Sequence, residues 1–247
     1  MSDIILEARE VSKRFGRFQG LSAISAKFRG NELCAIIGPN GAGKSTFFNI
    51  LSGAFAPTSG QVLFEGADVT SLPQHEYARH GIAKSFQITN VFKQLSAHEN
   101  VRVALQMRHS RFNFIRARAA MPGLADEADA LLDRVGLAAL RTRTASDLAH
   151  GQQRALEVAM ALAADPRLLL MDEPTAGMSP EETTVMMDLI TRLAAERTVI
   201  LVEHKMKLVM GICQRLFVLH HGEFLAEGSP EEIRSNAEVR RVYLGQH

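Results

Sequence analysis

Apolar residues fall along this chain in three patterns, and each predicts a different kind of element. Residues 32–37, 167–171 and 197–202 are almost unbroken apolar runs of strand length, the pattern of strands covered on both faces. Residues 4–11 and 21–28 alternate more loosely. With 61–65 and 68–70, split by Gly66, they predict an antiparallel β layer. Residues 82–86 and 215–220 are further strands, the second turned by Gly222 into 224–227. Helical spacing marks 47–51 (stopped by Gly53), 73–80 (capped by Gly81), 125–135 (ended by Gly136) and 206–213. Ser96-x-x-Glu99, Ser179-Pro180-x-Glu182 and Ser229-Pro230-x-Glu232 are helix-start signals, the second opening a helix to about Glu196. Residues 155–164 are apolar almost all round, so that helix is buried, and Asp165-Pro166 ends it. A last helix closes the chain near Tyr243-Leu244.

Between Gly81 and Gly123 there is no glycine, and helical patterning dominates. Arg102, Arg108, Arg111, Arg116 and Arg118 come with no acid between Glu99 and Asp126, and Phe112, Phe114 and Ile115 lie among them. Such a run can touch nucleic acid or anionic headgroups; the plainer reading is a solvated basic loop. Residues 88–150 are expected to form a mostly helical insertion, too short and too basic for the main core. The expected organisation is one domain over 1–247, with 1–87 and 151–247 building the core and β layer.

At 247 residues the chain suits one large domain with a substantial core. Lys plus Arg number 28 against 27 Asp plus Glu, so there is no basic footprint of a nucleic-acid binder, and no nucleic-acid partner is expected. Cys34 and Cys213 stand in apolar surroundings in different segments and read as small buried hydrophobes in a reducing compartment. No basic-then-apolar leader and no apolar run of about 18 residues occurs. The expectation is a cytosolic protein whose membrane role, if any, comes through partners.

The first apolar run leads into Gly38-Pro39-Asn40-Gly41-Ala42-Gly43-Lys44-Ser45-Thr46, which fits the phosphate-loop pattern G-x-x-x-x-G-K-[ST]. Glycines 38, 41 and 43 let the backbone approach a polyphosphate and turn its N–H groups inward. A helix starting near Gly43 adds its positive end. Lys44 reaches the outer phosphates, and the Ser45 hydroxyl takes a place on Mg²⁺. Strand, loop and helix come in the required order, so the chain is expected to bind a nucleotide. Phe15, and after it Phe18, lie on a turn from which an aromatic can stack on a purine; packing under the turn is the other reading. The second run ends in Asp172-Glu173-Pro174. Adjacent carboxylates at the carboxyl end of a core strand are costly unless they hold a metal or a water.

The phosphate loop alone leaves kinases, GTPases and many ATPases open. The sequence resembles the ATP-binding cassette family, whose further marks follow in order: Gln87 at a strand end, Leu148-Ala149-His150-Gly151-Gln152, Asp172-Glu173, and His204 one strand later. Within that family it resembles ATPase subunits of importers for branched-chain and related hydrophobic amino acids. Thr46-Phe47-Phe48-Asn49, Ser85-Phe86-Gln87, Gly151-Gln152-Gln153-Arg154, Glu203-His204-x-Met206-Lys207-Leu208-Val209-Met210 and Arg241-Val242-Tyr243-Leu244-Gly245 carry that narrower likeness. Subunits for urea, amide or aromatic-acid uptake are closely similar, and lipid export or a soluble cassette acting on ribosomes or DNA are the alternatives.

The resemblance implies an α/β phosphate-loop ATPase fold with an antiparallel β subdomain and an inserted helical subdomain. Asp172, with Ser45 and Gln87, would serve Mg²⁺. Glu173 would polarise the attacking water, and His204 and Gln87 would contact or sense the γ-phosphate. The 148–152 signature would close over ATP held by a second cassette, a copy or, by preference, a related chain. Two membrane permease subunits would dock on the helical insertion at the cytoplasmic face of the cell membrane, with a solute-binding protein engaged indirectly.

Ala149 stands where the family usually has serine, which removes one hydrogen bond to the γ-phosphate worth on the order of 1 kcal/mol. His150 stands where glycine is usual, and either replaces that bond or points to solvent. Thr175-Ala176-Gly177-Met178-Ser179 also departs from the usual form, in the stretch through which two sites communicate.

Overall fold

The computed structural model describes residues 4–85, 91–109 and 123–242. Among the described residues six strands make the central sheet: β3 (Leu33–Ile37), β6 (Ile82–Ser85), β7 (Leu168–Asp172), β8 (Thr198–Val202), β9 (Arg215–His220) and β10 (Glu223–Gly228). Their order is β10-β9-β3-β8-β7-β6, parallel except for β10, which pairs antiparallel with β9 at one edge. Every residue of β3, β7 and β8 is buried, as their unbroken apolar runs require.

The strand pleat sorts those runs onto two faces. Cys34, Ile36, Leu168, Leu170, Ile200, Val202, Phe217 and Leu219 point one way. They meet Phe47, Phe48, Ile50 and Leu51 of α1 (Lys44–Leu51) and the second sheet. Leu33, Ala35, Ile37, Leu169, Met171, Val199, Leu201, Leu216 and Val218 point the other way. Under them lie α5 (His150–Leu162), α6 (Pro180–Ala194) and α7 (Met206–Ile212). Helices α3 (Ala97–His109) and α4 (Leu124–Arg134) join that second cluster through Val101, Leu105, Ala128 and Leu132. Two short helices, α8 (Pro230–Ser235) and α9 (Ala237–Val242), end the described chain; Tyr243-Leu244 lies beyond it. No described helix is long and apolar enough to cross a membrane.

The second sheet is antiparallel, order β2-β1-β4-β5, from β1 (Ile4–Phe15), β2 (Phe18–Arg29), β4 (Ser59–Phe64) and β5 (Ala67–Asp68). The first hairpin is longer than its alternation predicts because bulges interrupt it. Glu10 and Ala23 sit at positive φ, and their N–H groups donate to Ser25 Oγ and Ser12 Oγ, each at 2.9 Å, instead of to the ladder. Each bulge shifts the facing by one residue, so inward positions stop alternating. Helix α2 (Gln74–His80) ends at Gly81 in the left-handed conformation, as read from sequence. Cys34 and Cys213 are buried, and burial pushes the Cys213 thiol up to about 12.

Leu201 is fully buried in the middle of β8. Leu201→Ala is expected to lower unfolding free energy by about 2–5 kcal/mol in urea titration.

Candidate functional site

The register of the central sheet brings the chemistry to one row. Ile36 of β3 pairs with Val202 of β8, and Val202 pairs with Asp172 of β7. β7 and β8 end at that row and β3 one residue beyond it, so the loops that follow leave the sheet side by side at its carboxyl edge, where open α/β sheets bind ligands. From β3 comes the 38–43 loop, from β7 Glu173, and from β8 Glu203-His204.

In the loop, two glycines are sterically required. A Cβ on Gly38 (φ 150°) would stand 2.2 Å from the Leu219 carbonyl oxygen. One on Gly43 (φ 97°), the residue before α1, would stand 2.7 Å from Leu21 Cδ2. The Gly222 N–H donates to the Ala42 carbonyl at 3.0 Å, so the β9–β10 turn buttresses the loop. Lys44 is 5% exposed, and its Nζ donates to the Gly38 and Pro39 carbonyls at 2.8 and 2.9 Å. Burial lowers the Lys44 ammonium pKa, against the opposing charges of Glu173 and Asp172. Asn40, Gly41 and Ser45 are exposed, while Pro39 and Thr46 are half-buried at the same mouth. Phe15 remains 44% exposed at the end of β1 and meets Phe55 edge-on at 6.0 Å. Lys13 Nζ lies 5.4 Å from its ring, and Phe18 is still more exposed. This aromatic pair presents itself to solvent instead of packing under the turn.

At the end of β7, Asp172 is buried, and its Oδ1 has no hydrogen-bond partner among the described residues. Burial raises its pKa, opposed by the Lys84 charge. Lys84 donates to Asn49 Oδ1 at 2.6 Å, and its Nζ lies 5.1 Å from the Phe48 ring centre. An orphaned buried carboxylate oxygen at the same sheet edge as an exposed serine hydroxyl fits a divalent cation that completes its shell with phosphate oxygens and water. Glu173 takes a left-handed backbone (φ 46°), a strained conformation for a side chain of its size. The Glu173 N–H donates to the Val202 carbonyl at 2.8 Å, which swings the carboxylate toward β8. There its Oε1 is 2.6 Å from His204 Nε2. The two residues that the sequence places one strand apart are in direct contact.

Helix α5 begins at the signature. Leu148 is buried, and the Ala149 N–H donates to Gln152 Oε1 at 3.0 Å. Ala149 has no side-chain acceptor for the free N–H groups of the first turn, and an acceptor comes from another helix instead. Glu182 Oε1 accepts from the Gly151 N–H, and Glu182 Oε2 from the Ser179 N–H, both at 3.0 Å. One carboxylate thus serves the starts of two helices, and those two N–H groups hold its pKa below the usual range. The capping box at Ser179 is legible in the sequence; its second partner, 31 residues away, is not. His150 is exposed, with its ring against Gly177, where an added Cβ would touch Cε1 at 3.4 Å. Lys84 and Glu203 join the site through bonds to Asn49 and Thr175 that no local sequence pattern signals. Gln87 and most of the arginine-rich run lie outside the described residues, while Arg108 pairs with Glu127 at 3.2 Å.

A glycine-turned loop with a buried lysine folded into it, and acids emerging one row along the sheet, define a phosphate-loop nucleotide-binding domain. Comparison with known proteins narrows the class. Residues 21–176 match the family model described as ABC transporter, and 225–247 match the model for branched-chain amino acid ATP-binding cassette transporters. The chain is 40% identical to the high-affinity branched-chain amino acid transport ATP-binding protein BraF of Pseudomonas aeruginosa, over the whole of both chains. Among solved structures it is similar to the ADP conformation of MJ1267, an ATP-binding cassette of an ABC transporter. That match has a TM-score of 0.87 and 27% identity, over 99% of this chain and all of the other. It is also similar to the dimeric post-hydrolysis state of the cassette MJ0796 bound to ADP and Pi. There the TM-score is 0.76 and the identity 26%, over 92% of this chain and 99% of the other. The chain belongs to the ABC transporter family, and its fold is that of the family's ATPase cassettes.

Gly38→Ala is expected to weaken ATP binding at least about tenfold in calorimetric titration, because the loop must shift away from Leu219 before it can cradle phosphates. Unchanged affinity would show that the loop has room to spare.

Proposed function

We propose that this chain is the ATP-hydrolysing subunit of a membrane importer for branched-chain or related hydrophobic amino acids. The contact between Glu173 and His204, beside an Asp172 oxygen with no partner among the described residues and the lysine-bearing loop, supports hydrolysis. Full-length likeness to BraF supports the solute class.

In this reading the residues take the following roles. Backbone N–H groups of 38–46 and the Lys44 ammonium bind the polyphosphate, with Phe15 stacking on the base. Lys44 moves its donors from the Gly38 and Pro39 carbonyls to phosphate oxygens, a short transfer within one loop. Ser45 and Asp172 would hold Mg²⁺, with Gln87 as a further contact. Bound there, the ion neutralises charge on the transferring phosphoryl group. Glu173, placed by its strained backbone, orients the attacking water, and His204 fixes the carboxylate while presenting its imidazole to the γ-phosphate. Residues 148–152 contribute the start of α5 to the nucleotide of a second cassette, a related chain by preference. The dimeric MJ0796 structure supports pairing of this kind. Two permease subunits engage the 88–150 insertion, which keeps the chain at the cytoplasmic face of the membrane, and a solute-binding protein acts through them.

Glu173→Gln is expected to retain ATP binding and to lower turnover at least about 10²-fold in a phosphate-release assay, because the amide cannot polarise water as a carboxylate does. Near-parental turnover would remove Glu173 from this role.

A further inference from the structure

The mechanism above leaves the buried acid Glu203 without a task. Glu203 is 3% exposed, and a carboxylate that deep is costly unless donors surround it. It has them on two different loops. Its Oε1 accepts from the Thr175 N–H at 3.1 Å and the Thr175 hydroxyl at 2.6 Å, on the loop that follows Glu173. Its Oε2 accepts from the His204 N–H at 3.1 Å, on the loop that follows β8. Thr175 is itself fully buried, and Lys205 Nζ donates to its carbonyl at 3.3 Å. The two loops that meet through Glu173 and His204 at the surface are therefore tied a second time beneath it.

We propose that Glu203 is a positioning residue for hydrolysis: its carboxylate locks the Glu173 loop to the His204 loop, so that the two side chains approach the γ-phosphate as one unit. The inference rests on the proposed function, since it needs a reaction to position. Because Glu203 itself stands on the His204 loop, separating the two loops breaks its charge-assisted bonds to Thr175, while the His204 N–H holds the other carboxylate oxygen in place. Glutamine cannot replace it, because one end of the amide is a donor and must face either Thr175 or the His204 N–H.

The test is steady-state ATP hydrolysis by the full chain assembled with its partner cassette and permease subunits, with ATP affinity measured separately by calorimetry on a slowly hydrolysed analogue. Glu203→Gln is expected to lower kcat at least about tenfold while affinity and KM stay within about threefold, the mark of an interaction needed only in the transition state. Thr175→Val should lower kcat in the same way, and Thr175→Ser, which keeps the hydroxyl, should restore it. In the double variant Glu203→Gln/Thr175→Val, kcat should fall no more than about twofold below Glu203→Gln alone, because both changes remove one link. Parental kcat in Glu203→Gln would overturn the proposal, as would a loss of kcat matched by an equal loss of affinity. Should Glu203→Gln fail to fold, equal kcat for the Thr175→Val and Thr175→Ser variants would overturn it by itself. An active parent with an unaffected Glu203→Gln variant leaves the proposed function standing. A parent that hydrolyses no ATP overturns both.

Discussion

The parallel register of three strands governs everything at this site. Because Ile36, Val202 and Asp172 share a row, three loops that are distant in sequence emerge within reach of one polyphosphate. That register depends on burial of both faces of the sheet. A one-residue slip would turn the apolar set of β8 toward the wrong layer, exchanging Ile200 and Val202 for Val199 and Leu201. The core and the chemistry are thus one constraint: hydrophobic sorting fixes the row, and the row fixes which side chains meet.

On that base the site carries local costs that the fold offsets. Glu173 holds a backbone conformation that side chains of its size avoid, and the Val202 carbonyl and His204 stabilise it there. Asp172 and Lys44 are both buried, and burial disfavours the charged form of each. These tensions lie where a charged ligand would relieve them, the usual signature of a site organised for its transition state. Glu182 adds a mechanical element. By serving the starts of α5 and α6 together, it joins the signature segment to residues 175–179, whose other end is held by Glu203.

Much of this was legible in the residues. The unbroken apolar runs announced the buried strands, and the Ser-Pro-x-Glu signals placed the starts of α6 and α8. The spacing of Gly38, Gly43, Lys44 and Ser45 located the phosphate loop within its strand–loop–helix context. Local rules failed where non-local partners decide. The bulges at Glu10 and Ala23 break alternation through bonds to serines on the facing strand, so the long hairpin read as shorter strands. The Glu182–Gly151 and Glu203–Thr175 bonds join residues about thirty positions apart, with no periodicity to betray them. Helix α5 packs as part of the same apolar cluster as α3, α4 and one face of the sheet, a continuity that a boundary drawn at residue 150 does not convey.

The central claim, that this cassette turns ATP hydrolysis into solute import across a membrane, is tested most directly by its company. Affinity purification of the chain from gently solubilised membranes, with every stoichiometric partner identified by mass spectrometry, is the decisive measurement. The account predicts two polytopic membrane subunits together with a second cassette protein. Recovery of ribosomal or DNA-bound partners, with nothing from the membrane, would contradict it.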